Sequence, residues 1–428
     1  MDPAIAHGAP GRVMRTRIRA AEPHDDRTFV IRDARVFDGQ ASELVEADIR
    51  VEAGRIVEMG KHVRSHGPPE WRAAGRVVSP GLVDAHFHAY AVGLDPDGLP
   101  LSYLALAAQH RLRAALARGF TTVRDVAGGD AGLELAIERG QLLSPRYLYT
   151  GAALSQTGGH GDPRGPLDAC APPTGGHTVE VVDGIDSLVG AVRERFRGGA
   201  HAIKMFASGG VISPHDPLRA PQFSAEEVRA VAAEAERHGS YVAAHAYSSE
   251  AIAHSVLNGV HSIEHGNLLD PPTARLMADR DAVLVPTLAT YDSLRRRGTA
   301  IGLSDVSRAK NAEVLDAGRH AIECAAAAGV PVGFGTDLMG ELEDDQLVGI
   351  RLQGEVMGAL GALRSIMHTN RELCGPHAEL PLMAPGAVAD LVVWDGNPLE
   401  DLSVVWDERR ARSVVLDGRL VTDQLGLA

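Results

Sequence analysis

Two histidines close an apolar run at Gly81-Leu-Val-Asp-Ala-His86-Phe-His88, and they are the first residues in this chain whose spacing could do chemistry. In a strand, residues two apart share a face. His86 and His88 would therefore point the same way and form a paired-imidazole site suited to zinc or a related metal. An H-x-H alone also arises by chance, so its company matters. His245 and His265 end two further apolar runs, and Asp337 ends the run GFGTD. Lys204 lies inside another run, AIKMFAS, where an unpaired ammonium is costly to bury. Alone it would read as a snorkelling or ion-paired lysine. Beside four imidazoles and an aspartate it reads as a chemically altered one. Its amine can take up carbon dioxide to give a carbamate, an anion whose two oxygens can bridge two metals.

Such residues need a frame that gathers them. From about residue 78 to 340, short apolar runs alternate with helical patterns, and eight candidate strands stand at 82–88, 121–127, 146–154, 202–208, 241–246, 261–265, 283–289 and 332–336. The helix expected over 224–238 shows the signals plainly: Ser224 and Glu227 form a capping box, Val228, Val231, Ala232 and Ala235 an apolar stripe, and Gly239 the stop. Continuous βα alternation implies a parallel sheet with right-handed crossovers, and eight units favour closure. The expected fold class is α/β, a (β/α)8 TIM barrel over 81–379. Residues 28–80 and 380–428 instead alternate with period two around Asp-Gly and Ala-Gly turns, which predicts a small β-sandwich built from both chain termini. The Gly/Pro-rich stretch within 156–200 reads as a lid, and 1–27 as a disordered segment.

Composition excludes several other functions. The formal charge is −14, and the only basic cluster is Arg12, Arg15, Arg17 and Arg19, so no nucleic-acid surface is expected. That cluster lacks the apolar stretch of a secretory signal, and no run approaches the ~20 residues of a membrane helix. Three cysteines (Cys170, Cys324, Cys374) without a C-x-x-C argue against a disulfide framework. A cytoplasmic protein with a small-molecule partner, and neither a nucleic-acid nor a membrane partner, is the expectation.

The pattern HxH, Lys, His, His, Asp resembles the amidohydrolase superfamily of the binuclear-metal type, over nearly the whole chain. VVSPGLVDAHFH near the start and MAPGAVADLVVWDGNPLEDL near the end are similar to that superfamily's signature ends. SQTGGHGD, IKMFASGGVISP, AHAYSSEAI, GVHSIEHGNLLD and VPTLATYD resemble the Xaa-Pro dipeptidase-like and N-acyl-amino-acid carboxypeptidase clade, which includes ochratoxin-hydrolysing amidases. The resemblance implies two divalent metal ions per chain, zinc foremost. His86 and His88 would hold the more buried ion with Asp337, and His245 and His265 the second. Carbamylated Lys204 and a hydroxide would bridge them. Two cations ~3.5–4 Å apart lower a water's pKa and polarise a carbonyl. Asp337 could then take the hydroxide's proton and pass it to the leaving nitrogen. A homo-oligomer is also implied.

Substrate contacts are expected at His160, which the clade uses, at Tyr247 as a donor to the oxyanion, and at Tyr291 lining the pocket. Arg219 is a candidate anchor for a substrate carboxylate. Arg124 and Asp125 read as a structural or a catalytic ion pair. Glu264 is expected to face away from His265, either supporting the ligands from behind or turned toward the helices, and the acidic run Glu341–Asp345 to disfavour acidic substrates at the rim. The expected reaction is cleavage of the amide bond to a C-terminal amino acid, in N-acyl amino acids, dipeptides or ochratoxin A. The alternatives are a cyclic-amide hydrolase of the imidazolonepropionase or hydantoinase kind and a non-catalytic barrel scaffold.

Overall fold

The computed structural model describes residues 27–428 apart from 65–66, 94–98, 166, 168–176, 214 and 376–377. The basic cluster, the expected disordered segment up to residue 26, Cys170 and much of the expected lid lie outside the described residues.

Parallel strands run around a central axis with helices between them. Leu82–Phe87, Phe120–Asp125 and Arg146–Tyr149 form one ladder. Ala153–Ser155, Ile203–Phe206, Val242–Ser248, Ser262–Leu268 and Val283–Val285 form another, with Val179–Val181 added at its edge. The third expected strand is thus bent. Gly151 takes φ +70°, and beyond it Leu154 pairs with Met205 instead of continuing along its first neighbour.

The eighth segment closes the barrel without becoming a regular ladder. Leu284 N donates to Pro331 O at 3.0 Å, while Ala85 N donates to Phe334 O at 3.0 Å and Asp337 N to His86 O at 2.8 Å. Asn370 stands in for the missing rungs: its side chain accepts from Phe334 N at 2.9 Å and donates to Val83 O and Phe334 O, both at 2.7 Å. Gly335 permits the close pass, since a Cβ there would lie 2.4 Å from the His86 Cβ. Backbone groups that a strand would pair are satisfied here by a side chain.

Local signals set the helices as expected. Ala225–Arg237 begins at a Ser224–Glu227 capping box, buries Val228, Val231 and Ala235, and is followed by Gly239 at φ +68°. Outside the barrel, the two ends of the chain build one eight-stranded sheet. Its order is Arg419–Asp423, Arg412–Leu416, Leu391–Trp394, Val77–Pro80, Phe29–Val36, Val45–Glu52, Arg55–Gly60, with Glu70–Arg72 also on Phe29–Val36. The expected sandwich takes the form of this sheet curling on itself, because Arg55 bridges Val388 just ahead of Leu391. Phe29, Ile31, Ile49, Trp71, Leu391 and Val393 fill the roll, with Phe29 stacked on Trp71 at 3.7 Å. Arg146 from the barrel reaches the buried Asp390 and ties the two parts together.

Among the described residues no helix is long and apolar enough to cross a membrane. Cys324 and Cys374 are buried free thiols.

Candidate functional site

The ends of the parallel strands open onto a cavity of about 550 Å³. Nine of the ten residues singled out from the sequence line it: His86, His88, His160, Lys204, His245, Tyr247, His265, Tyr291 and Asp337. His86, His88 and Asp337 bring one potential ligand atom each within 4.8 Å of one another. His88 Nε2 lies 2.9 Å and His86 Nε2 3.3 Å from Asp337 Oδ1, and His265 Nδ1 is 3.8 Å from Asp337 Oδ2. The His245 ring centroid stands 4.5 Å from that of His265. Asp337 takes φ +53°, a conformation that L residues seldom adopt, and hydrogen bonds to the first strand hold it there.

Electrostatics suit these groups to a metal. Burial lowers the His88 imidazole and holds those of His245 and His265 well below their usual value, so each stays neutral with a lone pair to give. Burial alone would raise Asp337, but the His86 ring beside it and hydrogen bonding with the imidazoles outweigh it and keep the carboxylate ionised. Burial also brings the Lys204 amine down to about 8. Among the described residues its Nζ makes no hydrogen bond or contact ion pair. Neutral imidazoles, an ionised carboxylate and an amine without a contact partner form a donor set that fits divalent ions.

The next shell fixes the rings. His86 Nδ1 donates to Glu264 Oε2 at 2.7 Å, leaving Nε2 toward Asp337. Glu264 Oε1 in turn accepts from Arg124 at 2.8 Å and from Ser262 Oγ. Burial by itself would raise Glu264, yet the Arg124 guanidinium holds it far below the carboxylate range. His245 Nε2 meets Gly209 O at 3.3 Å, so its Nδ1 is the open nitrogen. Thr287 Oγ1 and Tyr291 OH gather at His265 Nδ1 at 2.8 and 2.9 Å, and Tyr247 OH reaches Tyr291 OH at 3.0 Å. Tyr247 also stacks on His265 at 5.0 Å.

Several expectations are corrected. Arg219 does not line the cavity; it is exposed and pairs with Glu313 at 2.8 Å. Arg124 and Asp125 are not partners. Neighbours on a strand face opposite ways, so Arg124 meets Glu264 while Asp125 accepts from Tyr147 OH at 2.8 Å and Ala89 N at 3.1 Å. Glu264 stands behind the site as a support for His86, the first of the two expected placements, and His265 at φ +75° breaks the strand's alternation so that both neighbours serve the site. The acidic run turns from the rim: Glu343 binds Arg111 at 2.8 Å, Asp344 meets Arg118 at 3.5 Å and Asp345 meets Arg296 at 2.9 Å.

Sequence reasoning gave Arg124 the wrong partner and missed Thr287 and Asp216 as supports of the site. Asp216 Oδ2 lies 3.0 Å from His160 Nδ1, and only SPHDP, a polar island after the fourth strand, hinted at it. His215 also lines the cavity.

Known proteins resemble this chain over most of its length. Residues 77–421 match the model described as the amidohydrolase family. An ochratoxinase from Aspergillus niger is 30% identical over 366 residues, which span 80% of this chain and 75% of that protein. A solved prolidase complexed with N-methylphosphonate-L-proline is 42% identical with a TM-score of 0.89, covering 93% of this chain and 100% of that one. A Xaa-Pro dipeptidase with methionine bound in its active site is 28% identical with a TM-score of 0.82, covering 92% and 100%.

Proposed function

Because the chain belongs to the amidohydrolase family, as a hydrolase of amide bonds in its prolidase-like branch, we propose that it cleaves the amide bond to a C-terminal amino acid. N-acyl amino acids, Xaa-Pro dipeptides and ochratoxin A, cut to its acid and phenylalanine, are the substrates to test. The observation that carries this reading is the convergence of His86, His88, Lys204, His245, His265 and Asp337 on one cavity.

In the proposed site the four histidines, Asp337 and a carbamate formed on Lys204 from carbon dioxide would hold two divalent ions, zinc foremost, which would supply an acidified water and a polarised carbonyl. The protein's own groups do the rest. Glu264 holds the His86 ring, and Thr287 with Tyr291 holds that of His265. Asp337, kept ionised, accepts a proton from the attacking water and returns it to the departing amine nitrogen, which could not leave as an amide anion. Tyr247 OH donates to the oxygen that gains charge, and His160 contacts the substrate. Val179, Phe206, Val211, Ile212, Leu294 and Met339 give the cavity an apolar side for the substrate's body.

Metal analysis together with a hydrolysis panel, with and without chelator, tests this. About two metals per chain and chelator-sensitive release of an amino acid are expected. Lys204→Ala should fold and turn nothing over. Turnover of ring amides alone would move the reading to a cyclic-amide hydrolase, and near-normal activity of Lys204→Ala would remove the bridging role.

A further inference from the structure

The chain after Ile203–Phe206 leaves the barrel and returns to the point where it left. Ser208 bridges Pro221, and Gln222 N donates to Ala207 O at 2.9 Å. Between these points Val211, Ile212, Ser213 and His215 line the cavity. One ammonium gathers the loop's carbonyls. Lys310, on the helix Asp305–Ala328, donates to Gly210 O at 3.0 Å, Ser213 O at 2.7 Å and Asp216 O at 2.5 Å. A lysine has three donors, and all three are used here. Ser307 on the same helix donates to Ile212 O at 2.9 Å.

The same loop orients His160. The buried Asp216 carboxylate accepts from Gly210 N at 2.9 Å and His160 Nδ1 at 3.0 Å through one oxygen. Its other oxygen lies 3.8 Å from Lys310 Nζ. One face of the His160 ring stacks on His245 at 4.5 Å and 20°. Gly210 packs against the ring so closely that a Cβ there would lie 2.1 Å from Cε1. With Nδ1 engaged by Asp216, Nε2 is the ring nitrogen left for a ligand.

We propose that Lys310, which does not line the cavity, is a positioning residue for substrate: through Asp216 it holds His160 and the 208–222 loop in the binding arrangement. This rests on the amide-hydrolase reading above. Without the ammonium, three carbonyls lose a charge-assisted donor and the loop loses its hub. Of the proposed ligands, His86, His265 and Asp337 are held from outside the loop, and His245 meets it at Gly209 O, beside the ends pinned at Ser208 and Ala207, so binding should suffer ahead of chemistry.

Steady-state kinetics on an accepted N-acyl amino acid or Xaa-Pro dipeptide test the proposal. Lys310→Met should raise KM about tenfold, ~1.4 kcal/mol, with kcat within about threefold and metal content unchanged. In a His160→Asn background the same substitution should add less to KM than it does in the wild type, because part of its effect passes through His160. Lys310→Arg, which still donates, should recover part of the loss. A fall in kcat and metal content at unchanged KM, or fully multiplicative effects in the double variant, would overturn it. Amide hydrogen exchange reads the clamp without any substrate. Faster exchange at Gly210 and Gln222 in Lys310→Met is expected, and unchanged exchange refutes the clamp. A wild type inert on every amide would instead sink the functional reading while leaving the exchange result intact.

Discussion

Replacing Glu264 with Gln probes the buried charge pair behind the site. Glu264 is fully buried and Arg124 is 1% exposed, so their 2.8 Å contact has almost no solvent screening. Removing one partner of such a pair leaves an uncompensated charge, which costs about 3–5 kcal/mol. Arg124 would keep only neutral acceptors, the Ala85 carbonyl, Tyr241 OH and the new amide. The second effect is local. The His86 Nδ1 bond of 2.7 Å would pass from a carboxylate to a neutral amide oxygen, and weakening such a ligand support lowers metal affinity by about 10–100-fold, ~1.4–2.7 kcal/mol. Urea unfolding of the chelator-treated protein reads the first effect, and competition with a chromophoric chelator reads the second. Arg124→Met combined with Glu264→Gln should be less destabilised than Glu264→Gln alone, because the orphaned charge has gone. A single variant within about 1 kcal/mol of wild type, or a double variant whose loss is the sum of the singles, would refute the reasoning.

Asp337→Asn is expected to lower kcat by more than about a hundredfold while much of the metal stays bound, as measured by turnover beside metal analysis; a loss under tenfold would take the proton shuttle away from Asp337. Arg219→Ala should leave KM and kcat within about twofold, since an exposed pair with Glu313 contributes ~0–1 kcal/mol, and a KM rise above tenfold would restore it as an anchor. Burial pushes the Glu343 carboxyl up from 4.5 to about 7 despite Arg111 beside it. The folded protein therefore holds this proton more tightly than the unfolded chain. The resulting stabilisation is full below about pH 4.5 and is lost as pH rises through about 7. Glu343→Gln cannot ionise, so wild type should lose stability relative to it between about pH 5 and pH 8 in paired urea titrations; an equal difference at both pH values would contradict this.

The parts of the site that follow from period and residue type were legible in the sequence. His86, His88, Lys204, His245 and His265 each sit in or at the end of an apolar run, and the βα alternation places such ends at one mouth. What was not legible depends on backbone exceptions and on distant partners. No pattern announces φ +75° at His265, and that torsion lets it reach the cavity beside Glu264, which meets His86 across 178 positions. The eighth strand was placed correctly in sequence but not in kind, because Asn370 and Gln353 supply its backbone partners from a later helical region. Arg219 illustrates the opposite error. A basic residue near a predicted cavity has the right chemistry, yet Glu313 on a neighbouring helix draws it to the surface. The β-rich ends were recognised by alternation, whereas their joining into one curled sheet depends on bridges such as Arg55 to Val388.

That curled sheet also sets an order of events during synthesis. Val77–Pro80 sits between Phe29–Val36 and Leu391–Trp394, and Trp394 Nε1 donates to Ser79 Oγ at 2.8 Å across 315 positions. The N-terminal strands therefore emerge from the ribosome with an open edge, and the strand that covers it is made only after the whole barrel. Pairings this remote fold slowly, and an uncovered edge is a template for the wrong neighbour. A chain released before residue 391 would keep all six proposed metal-binding residues and yet expose Val77–Pro80 along its length. Its fate would be decided by aggregation rather than by its active site.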